Sequence, residues 1–236
     1  MVNRLLLAVL PAGFEKSLTT IEPSGRTQIC PIRAAALGFG AMRHRTPPIG
    51  PDGLWIFGYG SLMWEPGFAY VRAERAVLPG WHRRMSMLAT KSYGWPTRPG
   101  LAAGLHPGGT VDGVAFLVAP DICADILPVL AQREWAYLSI MAPVRLGDGT
   151  GVRALTYLAN PVNGRFRLTQ ARGDFLRRLN HGIGRKGRAA DYVRRSAEAL
   201  SAHGVRASDL HELVPRIDGT RGNRRRLSSR PSGRLN

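Results

Sequence analysis

The sequence predicts an α+β fold built around a small barrel. Three observations carry this. Short apolar stretches with strand character stand at residues 54–59, 112–118, 136–146 and 151–159. Helical patterns are inserted among them or appended after them, so the regular strand–helix alternation of a doubly wound sheet is missing. With 236 residues and 44% hydrophobic composition, the chain can bury one sizeable core.

The elements follow in order. Residues 1–52 lack sustained periodicity, carry scattered Pro and Gly, and end in "TPPIGPDG". They read as a poorly ordered N-terminal extension. The folded domain, residues 53–215, begins with "LWIFGY". Trp55, Phe57 and Tyr59 share one face of that strand and Leu54, Ile56 and Gly58 the other; both are apolar, so the strand is central. "AVLPGWHRRMSMLA" reads as extended chain interrupted by a Pro-Gly turn, and "DGVAFLV" as a strand. "AYLSIMAPVRL" and "GVRALTYLA" are two more, joined by the turn "GDGTG". Helices are expected at about Asp121–Trp135, Thr169–Leu179 and Ala189–His203, with a short one near Ser208–Leu213. No internal repeat is visible.

Composition excludes several function classes. The two cysteines, Cys30 and Cys123, form neither a metal-ligand spacing nor a disulfide framework, which points to a reducing, cytoplasmic setting. No apolar run approaches the roughly 20 residues that span a bilayer. The apolar stretch Leu5–Leu10 is at or below the length of a signal-peptide core, about 7–15 residues. The net charge of +17 is densest in residues 216–236, where seven arginines face one acid. That segment is too poor in apolar residues to fold alone and reads as a basic, disordered tail. Such a tail can neutralise phosphates without sequence preference, or simply be solvated. No helix-turn-helix or RNA-binding signature accompanies it, so no specific nucleic-acid partner is expected.

Two features carry chemistry. In "GYGSL", glycines flank Tyr59 and allow backbone angles or close approaches closed to other residues. A Gly-Ser turn at a strand's C-terminal end can aim successive N–H groups into one cavity, where they bind carboxylates or oxyanions. A tight turn without a ligand is the alternative. In "DICADILPVLAQREW", Ile122, Ile126, Leu130 and Glu134 are spaced by four and stack along one helical face, although Pro128 disfavours an unbroken helix. A carboxylate on an apolar stripe must find a hydrogen bond or raise its pKa, which suits a general base near neutrality. Pairing with a local arginine such as Arg133 is the competing reading, and from the residues alone both stay open.

"FGYGSLMWEPGF", "PGWHRRMSM", "GWPTRPGLAAGL", "DGVAFLV" and "LAQREW", in this order, resemble the ChaC-type γ-glutamylcyclotransferase family. The likeness runs from about Trp55 to Val214, thins after Leu158 and resumes at "GIGRKGRAADYV". It implies a mixed β-barrel with flanking helices, and cleavage of glutathione to 5-oxoproline and cysteinylglycine without metal or organic cofactor. Carried over residue by residue, the loop that cradles the γ-glutamyl group falls on Gly58, Tyr59, Gly60, Ser61, Leu62 and Met63, and the catalytic glutamate on Glu134. Glu134 would take a proton from the substrate's α-amine, which attacks the γ-carbonyl and closes a lactam. Loop N–H groups would hold the α-carboxylate or the developing oxyanion. Ser61 is then a hydrogen-bonding group, not a nucleophile. The pattern Gly184, Gly187, Asp191, Tyr192 also matches, with Tyr192 bordering the cleft or packing beneath it.

The chain departs from the family where members often read R-G-T-P-E-x-P-G. Here Tyr93, Trp95 and Thr97 replace the Arg, Thr and Glu, which alters charge and bulk near the expected cleft. Where the family often carries a Gly- and Tyr-rich loop after the glutamate, this chain has the short "WAYLSI", in which the resemblance would make Tyr137 the counterpart. Cyclotransfer on another γ-glutamyl amino acid or amine, an idle binding protein of the same fold, and a polyanion-binding protein are the rival readings. The small-molecule substrate would be glutathione or a related γ-glutamyl compound. The resemblance implies neither a membrane partner nor an oligomeric state.

Overall fold

The computed structural model describes residues 46–217. The expected extension 1–52 and basic tail 216–236 lie outside these residues except at 46–52 and 216–217. Five strands close a barrel in the order β1–β3–β2–β4–β5. They are β1 Leu54–Gly58, β2 Arg72–Ala89, β3 Gly100–Val118, β4 Tyr137–Leu146 and β5 Gly151–Ala159. Four neighbouring pairs are antiparallel; the barrel closes where β1 runs parallel to β5, with Trp55 opposite Ala154 and Ile56 opposite Leu155.

Both faces of β1 are buried, as its sequence required. Leu54 and Ile56 pack with Val118 and with Cys123 and Leu130 of the covering helix α1, Cys123–Arg133. Phe57 and Tyr59 enter the larger core with Leu101, Leu105 and Val114 of β3 and Leu138 of β4. Helices α2, Arg172–His181, and α3, Ala189–Ala202, flank the barrel. Between them a two-residue-per-strand hairpin, β6 Ile183–Gly184 and β7 Gly187–Arg188, turns at Arg185 and Lys186. Residues 209–217 are helical and Ile217 is fully buried.

Four expectations need correction. Pro79-Gly80 is not a turn that interrupts the chain. It is a bulge inside the continuous strand β2, with Gly80 at φ +79°, and a second register shift follows between Met85 and Met87. Bulges bend a strand without ending it, which a closed barrel needs. The strand expected at 112–118 also begins much earlier, at Gly100. Its Gly- and Pro-rich first half pairs with β2 from Ala89↔Gly100 through Pro79↔Thr110. In α1, the helix passes through Pro128 unbroken but stops at Arg133, so it is shorter than expected at both ends. α2 begins at Arg172, after the expected Thr169.

Candidate active site

β1 delivers the chain to its C-terminal end at Gly58, and Tyr59-Gly60 lead into a 3₁₀ turn, Ser61–Met63. The glycines serve close approach rather than a positive φ. Gly60 has φ −134°. A Cβ on Gly58 would stand 2.9 Å from the Leu62 Cβ, and one on Gly60 would collide with the Tyr192 hydroxyl. Within the turn, the N–H groups of Met63, Trp64 and Glu65 donate to Gly60 O, Ser61 O and Ser61 O. These three donors therefore bond within the turn, and the cavity-lining part of the loop is Tyr59, Gly60, Ser61 and Leu62.

Glu134 sits one residue past the end of α1, with its N–H still donating to Leu130 O at 2.8 Å. It continues the stripe of Ile122, Ile126 and Leu130, which pack on one apolar cluster. Because it has left helical geometry, its side chain also reaches its own neighbour: Arg133 Nε lies 3.2 Å from Glu134 Oε1. Burial and the arginine pairing thus act on the same carboxyl group. Burial raises its pKa, opposed by the positive charges of Arg133 and, less strongly, Lys186. A raised carboxyl pKa is the direction that general-base chemistry requires. Arg133 does more than pair. Its NH1 donates to Glu65 O and Pro66 O at 2.7 and 2.8 Å, and its NH2 to Ser61 Oγ at 3.2 Å. One guanidinium therefore fixes Glu134 relative to the glycine-flanked loop.

Loop and Glu134 face a single cavity of about 590 Å³. Tyr59, Gly60, Ser61, Leu62, Glu134 and Tyr192 line it, whereas Gly58 and Met63 do not. Gly58 is held in the β1 ladder opposite Val114, and Met63 turns into the core. Their side of the loop supports the wall instead of forming it. The wall's tyrosines are anchored across the barrel. Tyr59 Oη donates to Tyr157 O at 2.6 Å, and Tyr137 Oη to Ala103 O at 2.9 Å. Burial holds both phenols well above their ordinary pKa, so they remain protonated. Tyr192 Oη accepts from the N–H of Ala103 at 3.2 Å. Burial pushes its pKa up to about 12 despite that donor, so the phenol stays protonated.

The rim is basic: Lys91, Arg165 and Lys186 stand there with Arg133, against Glu65 and Glu134. Among the described residues, no group of His, Cys, Asp or Glu has the arrangement of a metal site. Trp95, expected to crowd the cleft, is outside the cavity wall and half exposed, with the Arg185 guanidinium against its ring. Tyr93 does line the cavity.

Sequence reasoning missed Arg133 as a clamp and Lys186 and Glu65 as rim charges. Arg133 was in view beside Glu134, but its bonds to residues 61–66 depend on the barrel bringing distant segments together. No periodicity marks Lys186, whose place follows from a hairpin only two residues wide on each strand.

A family model described as ChaC-like protein matches residues 54–218. The chain is 35% identical over 118 residues to the glutathione-specific gamma-glutamylcyclotransferase of Escherichia coli, covering 49% of this chain and 50% of that protein. It therefore spans about half the length of that relative. To glutathione-specific gamma-glutamylcyclotransferase 1 of Homo sapiens it is 29% identical over 169 residues, 68% of this chain and 76% of the other. The rat protein of the same name is 31% identical over 171 residues, with the same coverage. In structure, the chain resembles a crystal structure of a γ-glutamyl cyclotransferase specific to glutathione from yeast. The TM-score is 0.64 at 19% identity, over 71% of this chain and 99% of that one, which establishes a shared fold.

Proposed function

The chain belongs to the ChaC-like family, and from that premise we propose that it is a γ-glutamylcyclotransferase that cleaves glutathione to 5-oxoproline and cysteinylglycine. The observation that carries the reading is Glu134, a buried carboxylate with a raised pKa, clamped by Arg133 to the loop at the end of β1 and facing the same cavity. The names of the bacterial and mammalian relatives support glutathione as the substrate.

The chemistry is an intramolecular acyl transfer. The α-ammonium of the γ-glutamyl group loses a proton to Glu134, and the freed amine attacks the γ-carbonyl carbon. A new C–N bond closes the five-membered ring, and the bond to the cysteinyl nitrogen breaks. Two protons pass in all from the attacking to the leaving nitrogen, so none is gained or lost overall. Glu134 carries them in turn, accepting from one nitrogen and delivering to the other. The Tyr192 hydroxyl donates to the oxyanion that forms on the γ-carbonyl oxygen. The cavity's main contribution is to hold the substrate folded for attack. Ser61, with no histidine beside it and its Oγ accepting from Arg133, orients the clamp. A reducing cytoplasm fits the buried free thiol of Cys123, and no helix among the described residues is long and apolar enough to cross a membrane.

The test is purified protein with glutathione, with 5-oxoproline measured. Release of 5-oxoproline that vanishes in Glu134→Gln supports the reading; no release from the wild type overturns it. Tyr93 in the cavity wall favours one second reading, a different γ-glutamyl amino acid or amine. A panel of γ-glutamyl compounds in the same assay separates the two.

A further inference from the structure

With a γ-glutamyl group between the loop at the end of β1 and Glu134, the rest of glutathione runs on past the scissile bond and ends in the glycine carboxylate. Two residues of extended chain carry that carboxylate about 7 Å beyond the cysteinyl nitrogen. Lys91, Arg133, Arg165 and Lys186 line the cavity against Glu65 and Glu134. Arg133 pairs with Glu134 at 3.2 Å and Lys186 with Glu65 at 2.8 Å. Lys91 and Arg165 remain, and no carboxylate of the described residues pairs with either. A cavity with more cations than carboxylates suits a substrate that brings carboxylates of its own.

Resting on the γ-glutamyl reading above, we infer that Arg165, held flat on Trp135, binds the glycine carboxylate of glutathione and so selects substrates that carry a carboxylate at that end. Arg165 is prepared for this at both ends of its side chain. Its backbone is pinned, with Arg165 O accepting from Leu88 N–H at 2.8 Å and Arg165 N–H donating to Asn163 Oδ1 at 3.0 Å. Its guanidinium lies over the Trp135 ring, 4.6 Å from the centroid. Stacking uses the flat face of the guanidinium and leaves its N–H edge, which can meet a carboxylate with two parallel bonds. Trp135 lines the cavity yet is half exposed, so the stack stands at the mouth, where the far end of the substrate emerges. The positive charges that act on Glu134 are those of Arg133 and Lys186, whereas Arg165 acts on the Tyr137 hydroxyl, away from the reacting amine. Lys91 is exposed, and a flexible ammonium loses more freedom on binding than a stacked fork does. γ-Glutamyl amines, which lack the carboxylate, gain nothing from Arg165.

The experiment measures 5-oxoproline release by the full chain from glutathione and from its glycine monoethyl ester, for the wild type, Arg165→Met and Lys91→Met. The ester removes the charge of the glycine carboxylate alone. In the wild type its KM should exceed that of glutathione about ten- to a hundredfold, with kcat held within a few-fold, as for loss of a charge-assisted bond made equally in the ground and transition states. Arg165→Met should show the same rise with glutathione and no further rise with the ester, and Arg165→Lys should recover part of the loss. That non-additivity is the signature, because two groups that touch do not contribute independently. A merely structural stack would raise KM for both substrates alike. Equal KM values for the two substrates in the wild type, an unchanged KM in Arg165→Met, or additive penalties overturn the assignment. Non-additivity that appears in Lys91→Met instead gives the carboxylate to Lys91 and overturns it too. A wild type that releases no 5-oxoproline from glutathione overturns the functional reading beneath it; an active wild type indifferent to the ester overturns this inference alone.

Discussion

Replacing Glu134 by glutamine is expected to lower activity and raise stability at the same time. The amide keeps the shape of the side chain but cannot accept a proton, and removal of a general base typically lowers kcat about 10²–10⁴-fold. Stability moves the other way because burial raises the carboxyl pKa in the folded chain. Between the unfolded and the folded pKa, the native state binds more protons than the unfolded one. The wild type therefore loses stability as pH rises through that window, while glutamine has nothing to ionise. Each pH unit by which folding delays this ionisation corresponds to about 1.4 kcal/mol. For a domain of this size that is about 3–6 °C in Tm. Arg133 keeps its three acceptors on residues 61–66 in the variant, so the loop stays fixed. The assay is thermal unfolding of both proteins from pH 4 to pH 8.5. The curves should meet at the acid end, and the variant should lead increasingly above it. Parallel curves, or a wild type that gains on the variant with pH, would show that Glu134 is not strained by burial and would undo the argument for it as a tuned base.

Tyr192→Phe should lower kcat about 10²–10³-fold with a smaller change in KM, measured by steady-state 5-oxoproline release, because it removes an oxyanion donor. Gly60→Ala should lose turnover in a folded protein, since the new methyl group displaces the Tyr192 hydroxyl; circular dichroism confirms the fold, and near wild-type turnover would show that this contact is irrelevant. Ser61→Ala should be milder, because it removes one long charge-assisted bond to the Arg133 clamp, worth about 1.5 kcal/mol at the low end for such bonds, read as a change in kcat/KM of roughly tenfold. Asp209→Asn should shift the urea midpoint down without changing the slope. It weakens the 2.6 Å pairing of the buried Arg83, which also donates to Tyr59 O and Asp112 O, at a cost of about 1.5–3 kcal/mol.

The strands that the sequence announces are those whose pattern is local. β1, β4 and β5 follow from runs of apolar residues bounded by turns, and β1 was rightly placed at the centre because neither of its faces is polar. The first half of β3 was illegible for the opposite reason. "GLAAGLHPGGT" has the composition of a loop, and only its long pairing with β2 makes it a strand. Gly104 shows what its composition serves: a Cβ there would stand 2.8 Å from Ala159 Cβ and Ser86 Oγ. In the site, Glu134 and the Tyr59–Leu62 loop were legible through spacing and resemblance. The hydroxyl anchors were not, because a bond such as Tyr59 Oη to Tyr157 O joins residues 98 positions apart. The resemblance carries the cradle over Gly58 and Met63 as well, but the strand ladder holds the first and the core takes the second, so neither lines the cavity.

The parallel seam between β1 and β5 sets a timetable for synthesis. Ile56 leaves the ribosome early, but its partner Leu155 follows 99 residues later. At about 5–20 residues per second, the interval is about 5–20 s. β3 covers one edge of β1 sooner, through Leu54↔Val118, and leaves the other as an unpaired apolar ribbon until the last barrel strand arrives. Such an edge is a template for pairing with other chains. The base and its loop share the delay, since Tyr59 is anchored on Tyr157 of that same final strand. A nascent chain halted at residue 150 is thus expected to be inactive and to aggregate; equal solubility of chains ending at 150 and at 217 would show that the open edge of β1 is no liability.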